Sequence, residues 1–461
     1  MSAHCTADQL AFQGVERRAV VAAFDAGRTS SDGGLLLLRE LEARRGMLGR
    51  FARCFRDLRD PGRVAHSVES LIRQRVLAIA CGYEDLNDHD ALRDDALLAL
   101  ASGKENPTER LASRSTLNRL ECTPQGARRE DRYHKIVYDE AAMDRLWVEL
   151  FLERYETPPD RIVLDLDATD DPIHGEQEGR FFHGYYRQYC YLPLYIFCGD
   201  ALLCSRLRRA DIDASAGALV EVERIVGQIR ARWPEVEIWL RADSGFARDA
   251  IMTWCEQNQV QYVFGLARNA RLQGLLHDAL EAVEQAQRTS GAWSVRRYEE
   301  LRYRTLDSWS RARRVVGKAE RLGDKANPRF VVTSLRAEDF PAAELYEQIY
   351  CARGDMENRI KEQQLDLFAD RTSSHTMRAN QLRLFLSSMA YWLLAELRRI
   401  GLAGTEWSRA QAGTIRIRLL KIAAVVKLSV RRIYVSLSDA YPLRALFALI
   451  LDRIRNAPAP P

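Results

Sequence analysis

A single nine-residue run, Arg161-Ile162-Val163-Leu164-Asp165-Leu166-Asp167-Ala168-Thr169, leaves the chain little structural choice. Its period-two alternation sends Ile162, Leu164 and Leu166 to one face and Asp165 and Asp167 to the other. That is a strand with a buried side, and its opposite side carries two acids. Paired aspartates on a strand face do not serve packing, because burying an unpaired carboxylate is costly. A second run, residues 235–246, reads as a strand that ends in the turn Ala242-Asp243-Ser244-Gly245. Asp243 therefore stands at the C-terminal end of a strand, where α/β sheets place their sites. Asp167 is the first candidate ligand, with Asp165 as its alternative. Asp170 and Asp171 are read as caps of the following turn.

A third acid comes from a different kind of element. Residues 341–367 are apolar at helical spacing with no internal proline after the first position, so a helix is expected there. Within it Tyr350, Arg353, Glu357 and Lys361 follow at intervals of three, four and four, on one face. An ordinary solvated face with ion pairs would have the same composition. Together with Asp167 and Asp243, however, Glu357 completes a set of three carboxylates that can converge. Hard divalent cations such as Mg²⁺ take oxygen ligands and keep positions open for water and phosphate. Two such ions can drive an in-line phosphoryl displacement, with Arg353 and Lys361 holding phosphate. Glycoside hydrolysis also uses paired carboxylates, but it leaves the third acid and its cations unexplained.

The remaining sequence frames these residues. At 461 residues the chain is long enough for several domains, and 47% hydrophobic with 29% charged residues is the balance of a soluble globular protein. Nine scattered cysteines without a C-x-x-C pair argue against a disulfide framework or a zinc site and for a reducing compartment. No membrane span or signal-peptide pattern is read. The net charge of +4 does not imply nucleic acid, but residues 293–325 hold ten Arg or Lys against five acids and residues 401–461 hold ten against three, local basic patches that suit a protein meeting phosphate on chosen faces.

The fold class expected is α/β, a mixed sheet with flanking helices, interrupted by a β-rich insertion and preceded by a helical region. Helical starts are read at 35–41, 66–81 and 86–100, with Thr29 to Asp32 as an N-cap segment. The pair around Gly82-Tyr83 is compatible with a helix-turn-helix, and Ser113-Arg114-Ser115-Thr116-Leu117-Asn118-Arg119-Leu120-Glu121 is rich in phosphate-compatible side chains and is equally readable as the capped start of a helix. The expected divisions are 1–158 helical, 159–290 first part of the core, 291–328 β-rich insertion, 329–400 second part with the Glu357 helix, and 401–461 basic and helical. Residues 457–461 are expected to be disordered. His174 and His183 lie near the first aspartate, and Cys190, Cys198 and Cys204 are read as buried filler.

The order Asp167, Asp243, Glu357 resembles the D-D-E triad of bacterial insertion-sequence transposases with an RNase H-like core. The spacing Tyr350-x2-Arg353-x3-Glu357 is similar to the Y-R-E-K signature of their cut-and-paste branch. Residues 164–179 and the run Arg241-Ala242-Asp243-Ser244-Gly245-Phe246 also resemble that branch. One position departs: the signature lysine is expected at Gln364, and the nearest lysine is Lys361.

The resemblance implies a metal-dependent DNA phosphoryl transferase and endonuclease. It would bind the terminal inverted repeats of an insertion sequence through its N-terminal helices, cut by a hairpin route and join the freed ends to target DNA. Asp167, Asp243 and Glu357 would hold two Mg²⁺ ions, with Mn²⁺ as a substitute. Tyr350, Arg353 and Lys361 would grip the DNA backbone. In the insertion, Trp309 would stack on a flipped base beside Arg311, Arg313 and Arg314, or else pack the insertion's own core. The implied partners are double-stranded DNA and a second copy of the chain, in a bacterial cytoplasm at the nucleoid. A domesticated DNA-binding protein that no longer cuts, or a host nuclease of the same fold, are the alternative readings.

Overall fold

A computed structural model describes residues 9–459. The chain divides into two compact units, one formed by the residues up to Val137 together with Met389–Ala459, the other by Tyr138–Ser388. The division falls inside the helix Met377–Glu396. Among the described residues no helix is long and apolar enough to cross a membrane.

The second unit is built on one mixed sheet. Its strands are β1 (Arg161–Ala168), β2 (Leu194–Cys198), β3 (Ala201–Arg206), β4 (Glu237–Ala242), β5 (Gln261–Leu266), β6 (Ser294–Tyr303), β7 (Arg313–Leu322) and β8 (Arg329–Thr333). They lie in the order β3-β2-β1-β4-β5-β8-β7-β6, with the short strand Lys325–Ala326 against β7. The first three are antiparallel, whereas β1, β4 and β5 run parallel. A large mixed sheet in an α/β chain is the expected fold class.

The helix Ala218–Arg232 buries Val222, Ile225, Val226 and Ile229 at helical spacing, the stripe that a sheet-covering helix needs. The β-rich insertion does not form a separate sheet. It extends the central one past β5 through antiparallel β8, β7 and β6. Its first strand, β6, runs unbroken for ten residues.

The expected helix over 341–367 is a succession of different turns. Ala342–Glu344 is α-helical, Leu345–Tyr350 π-helical, Cys351–Arg353 a tight 3₁₀ turn, Gly354–Lys361 α-helical and Glu362–Asp366 π-helical again. Leu345 and Tyr346 are buried with Trp239, Val263, Val316 and Val331, which holds this segment to the sheet. Widened turns of this kind let successive side chains leave the strict α-helical stripe.

The first unit is mostly helical. Val68–Cys81 starts where Ser67 Oγ accepts from Ser70 N–H and ends at Gly82, whose φ of 94° only glycine adopts easily. The helix expected over 86–100 is three short pieces, Leu86–Asp88, His89–Leu92 and Ala96–Ala101. Asp95 accepts from the backbone N–H groups of Leu97 and Leu98 and so restarts the helix instead of continuing it. Thr29 and Ser30 form a short strand, and the first helix, Leu35–Arg45, follows Gly34 without a side-chain cap. A Cβ at Gly34 would stand 2.0 Å from the carbonyl oxygen of Leu419, so close backbone approach fixes glycine there.

Arg75 and Glu121 form a buried ion pair at 2.8 Å, and Gln74 both donates to and accepts from the backbone of Ala112. These contacts fix the helix Arg114–Glu121 against Val68–Cys81. The basic patch at residues 427–432 lies around the turn of a hairpin, Ala424–Leu428 with Ile433–Leu437. Of the tail expected to be disordered, Pro460 and Pro461 lie outside the described residues, as do residues 1–8.

Candidate active site

Strand register brings the first two acids together. In the parallel β1/β4 pair Arg241 stands opposite Asp165 and Ala242 opposite Leu166, so Asp167 and Asp243 come next, side by side. Asp165 is already committed. Arg241 donates from Nε at 2.6 Å and from Nη2 at 2.8 Å to its two carboxylate oxygens, a bidentate pair nearly closed to solvent. Arg241 Nη1 also donates to the carbonyl of Ile349 at 2.6 Å, which ties the strand pair to the Tyr350 segment. Of the two acids on this strand face, Asp167 is the one without a bidentate arginine partner.

Asp167 accepts from the N–H of Ala168 at 3.0 Å and lies 3.5 Å from Arg353 Nη1. Burial pushes its carboxyl up to about 7, Arg353 opposes that rise, and the charges of Asp243 and Glu357 add to it. Arg353 Nη2 donates to Glu357 Oε1 at 2.6 Å, so one guanidinium bridges the first and third acids. For Arg353, burial lowers the pKa, but Asp167 and Glu357 outweigh it and hold the guanidinium above its ordinary value.

Asp243 accepts from Gly245 N–H at 2.8 Å, the turn that the Asp-Ser-Gly run suggested. Tyr350 reaches the same point from the other side. A Cβ at Gly265 would lie 2.5 Å from Tyr350 Oη, 3.0 Å from Ser244 N and 3.3 Å from the carbonyl carbon of Asp243. Burial raises the Tyr350 phenol, Arg353 opposes, and Asp243 adds. Tyr350, Arg353 and Glu357 thus face the aspartates. Lys361 is exposed one turn further on, and among the described residues no contact joins it to the acids.

The position where the signature lysine is expected has a definite role. Gln364 Nε2 donates to Asp171 Oδ1 at 2.8 Å and to the Asp170 carbonyl at 3.0 Å. Asp171 is fully buried in a short strand against Tyr191, so it is not a solvated turn cap. Burial pushes its carboxyl up to about 8. A neutral amide suits a neutral acid.

The insertion residues are placed differently from the acids. Trp309 is 4% exposed, edge-on to Tyr303 at 5.7 Å, with Arg313 over its ring at 5.6 Å. Of the two readings given for it, packing is the one this placement fits. Arg313 is buried and bonded to Asp249, Glu256 and Thr253, and Arg314 is bonded to Glu300 and to the carbonyls of Leu335 and Phe340. Arg311 pairs with Glu256 but stays 58% exposed.

Three residues near the acids have little sequence signal. Arg241 is recognisable only through the β1/β4 register, and Gly265 only through its contact with Tyr350. Tyr186 stands on the turn between Phe181–His183 and Gln188–Tyr191, 4.9 Å from the His183 ring. Burial raises its phenol, and the charges of Asp170, Asp167 and Asp243 add to that rise. His174 is exposed.

The donor set suits a hard divalent cation, since it consists of carboxylates, and the charges of Asp243 and Glu357 raise the Asp167 pKa. Among the described residues no group of three His, Cys, Asp or Glu side chains stands close enough to hold a metal ion. Arg353 lies between two of the three acids and supplies the compensating charge.

The model of the family described as "Transposase DDE domain group 1" matches residues 12–459. No curated protein matches the chain. Among solved structures, one described as "Cryo-EM structure of piggyBac transposase synaptic complex with hairpin DNA" is similar at 11% identity, over 94% of this chain and 83% of that chain, with a TM-score of 0.41. Nearly the whole sequence falls within one family match, and the chain belongs to the group 1 DDE transposases.

Proposed function

We propose that the chain cuts and rejoins DNA at the ends of an insertion sequence, with Asp167, Asp243 and Glu357 as ligands for divalent cations, Mg²⁺ first and Mn²⁺ as a substitute. The observation that carries this reading is the bridging of Asp167 and Glu357 by Arg353, on a strand pair that sets Asp243 beside Asp167. When bound, such ions activate an attacking water or hydroxyl and stabilise the leaving oxygen. Asp167 and Asp243 supply oxygen donors from strand ends, and Glu357 supplies one from the helix Gly354–Lys361. Arg353 leaves its place between the acids to take a non-bridging phosphate oxygen. The Tyr350 phenol, packed against Gly265, offers a hydrogen bond to the DNA backbone.

In this reading Lys361 and Arg311 are the exposed cations that meet the flanking phosphates. Trp309, Arg313 and Arg314 support the insertion from within. Recognition of terminal inverted repeats by the N-terminal helices, a hairpin intermediate and joint action of two copies complete the proposal. The test is cleavage of a labelled duplex carrying the element's terminal repeat, in Mg²⁺, in Mn²⁺ and in EDTA, with Asp243→Ala alongside. The expected result is metal-dependent nicking and hairpin products that vanish in the variant. Tight binding with no cut strand under any condition would instead support a domesticated binding protein.

A further inference from the structure

The first unit carries a basic pocket of about 300 Å³ far along the sequence from the triad. Its wall includes Arg59, Arg63, Arg119, Arg132, Lys135 and Tyr133, and no Asp or Glu lines it. Some of the positive charge is already balanced: Arg59 is held bidentately by Asp57 at 2.9 and 2.7 Å, and Arg63 lies 3.6 Å from Asp60. Arg119 and Arg132 are not. Among the described residues neither is paired with a carboxylate, and both lie over the Tyr133 ring, at 4.2 and 5.1 Å. Stacking on a ring fixes a guanidinium plane while leaving its N–H edge free to donate.

The pocket is a built feature. Arg119 and Thr116 sit one turn apart on the helix Arg114–Glu121, which the buried Arg75–Glu121 pair anchors. The opposite wall holds His134 in the left-handed region, with φ of 58°. Ring atoms Nδ1 of His66 and His134 are buried without a hydrogen-bond partner, and both residues line the pocket. Burial lowers the pKa of His66, and the charges of Lys104, Arg59 and Arg93 lower it further, as expected where positive charge is concentrated.

We propose that this pocket is a non-catalytic anchoring site for a DNA backbone phosphate, gripped by the guanidinium edges of Arg119 and Arg132. The cavity exceeds a phosphate group in size, so the adjoining sugar enters against Ala65 and Ile136. The proposal rests on the reading of this chain as a DNA-acting transposase and adds a contact outside the triad.

The test measures binding of a fluorescent duplex by anisotropy across a KCl series, for the full chain, for Arg119→Ala/Arg132→Ala and for Arg119→Lys/Arg132→Lys. Folding of each variant is checked by thermal melting. Loss of one phosphate contact lowers the slope of log Kobs against log[salt] by about 0.9 in the alanine variant, and the lysine variant restores most of it. A wild-type chain that binds while the alanine variant keeps the same slope and affinity overturns the pocket proposal and leaves the transposase reading standing. A wild-type chain that binds no duplex at any salt overturns both.

Discussion

At the scale of single residues, the site depends on which acids already have partners. Asp165 is neutralised by Arg241, so the ionisation that matters is that of Asp167, raised to about 7. A cation competes with the proton for this carboxylate, so metal affinity should rise as pH increases toward 7 and level off above it. Calorimetric titration with Mn²⁺ at pH 6 and pH 8 is expected to show tighter binding at pH 8. Arg353→Ala removes a group that lowers the Asp167 pKa, so the rise should move to higher pH; an unchanged profile would detach Arg353 from Asp167.

Asp171 gives a prediction of stability with the sign fixed by its surroundings. Its carboxyl is pushed up to about 8 in the fold from an ordinary value of 3.8. Between these pH values the unfolded chain has released the proton and the folded chain has not. Stability therefore falls as pH rises, by up to about 1.4 kcal/mol per pH unit, and levels off above pH 8. Asp171→Asn removes this slope and keeps an acceptor for Gln364. The variant is expected to melt higher than wild type at pH 8, with the gap closing toward pH 4; parallel curves would contradict the assignment.

At the scale of elements, the close approach of the Tyr350 segment to β5 leaves no room for a side chain at residue 265. Gly265→Ala is expected to cost about 1–3 kcal/mol by overpacking. Adding Tyr350→Ala should recover most of it in a double-mutant cycle followed by denaturant unfolding. No recovery would move the clash to the Ser244 backbone. In the first unit, Glu121→Ala leaves Arg75 buried without its partner and is expected to cost about 3–5 kcal/mol, read from the same unfolding curves.

Elements also show what could be read in advance. The strand carrying Asp165 and Asp167 and the turn after Ala242 follow from period-two alternation and from Ser-Gly punctuation, both local signals. The Arg241–Asp165 pair is not local: 76 positions separate the residues, and only the β1/β4 register joins them. Trp309 carries the same ambiguity in any sequence, because a flat ring among arginines suits a base or a core equally well. The segment at 341–367 has helical periodicity throughout, but periodicity does not reveal π and 3₁₀ turns, which arise from packing Leu345 and Tyr346 onto the sheet. The early break at Asp95 was present in the sequence as a capping residue, and its competition with the helix interior accounts for the three short pieces.

At the scale of the whole molecule, a chain of net charge +4 is not a polycation, and its positive charge works locally. In one unit, cations are placed among acids, where Arg353 offsets Asp167 and Glu357. In the other, Arg119 and Arg132 stand over Tyr133 without a carboxylate to offset them. The first arrangement suits chemistry on a phosphate, the second its retention. A family match across residues 12–459 places both arrangements within one transposase chain.

The decisive measurement is a metal-specificity switch at the first acid. Asp167→Cys replaces a hard oxygen donor with a softer sulfur, which Mg²⁺ accepts poorly and Mn²⁺ accepts better. Cleavage of a terminal-repeat duplex by this variant is expected to be lost in Mg²⁺ and regained in part in Mn²⁺, while the wild-type chain cuts in both. Equal activity in the two metals, or equal loss in both by a variant that melts like wild type, would contradict ligation by Asp167.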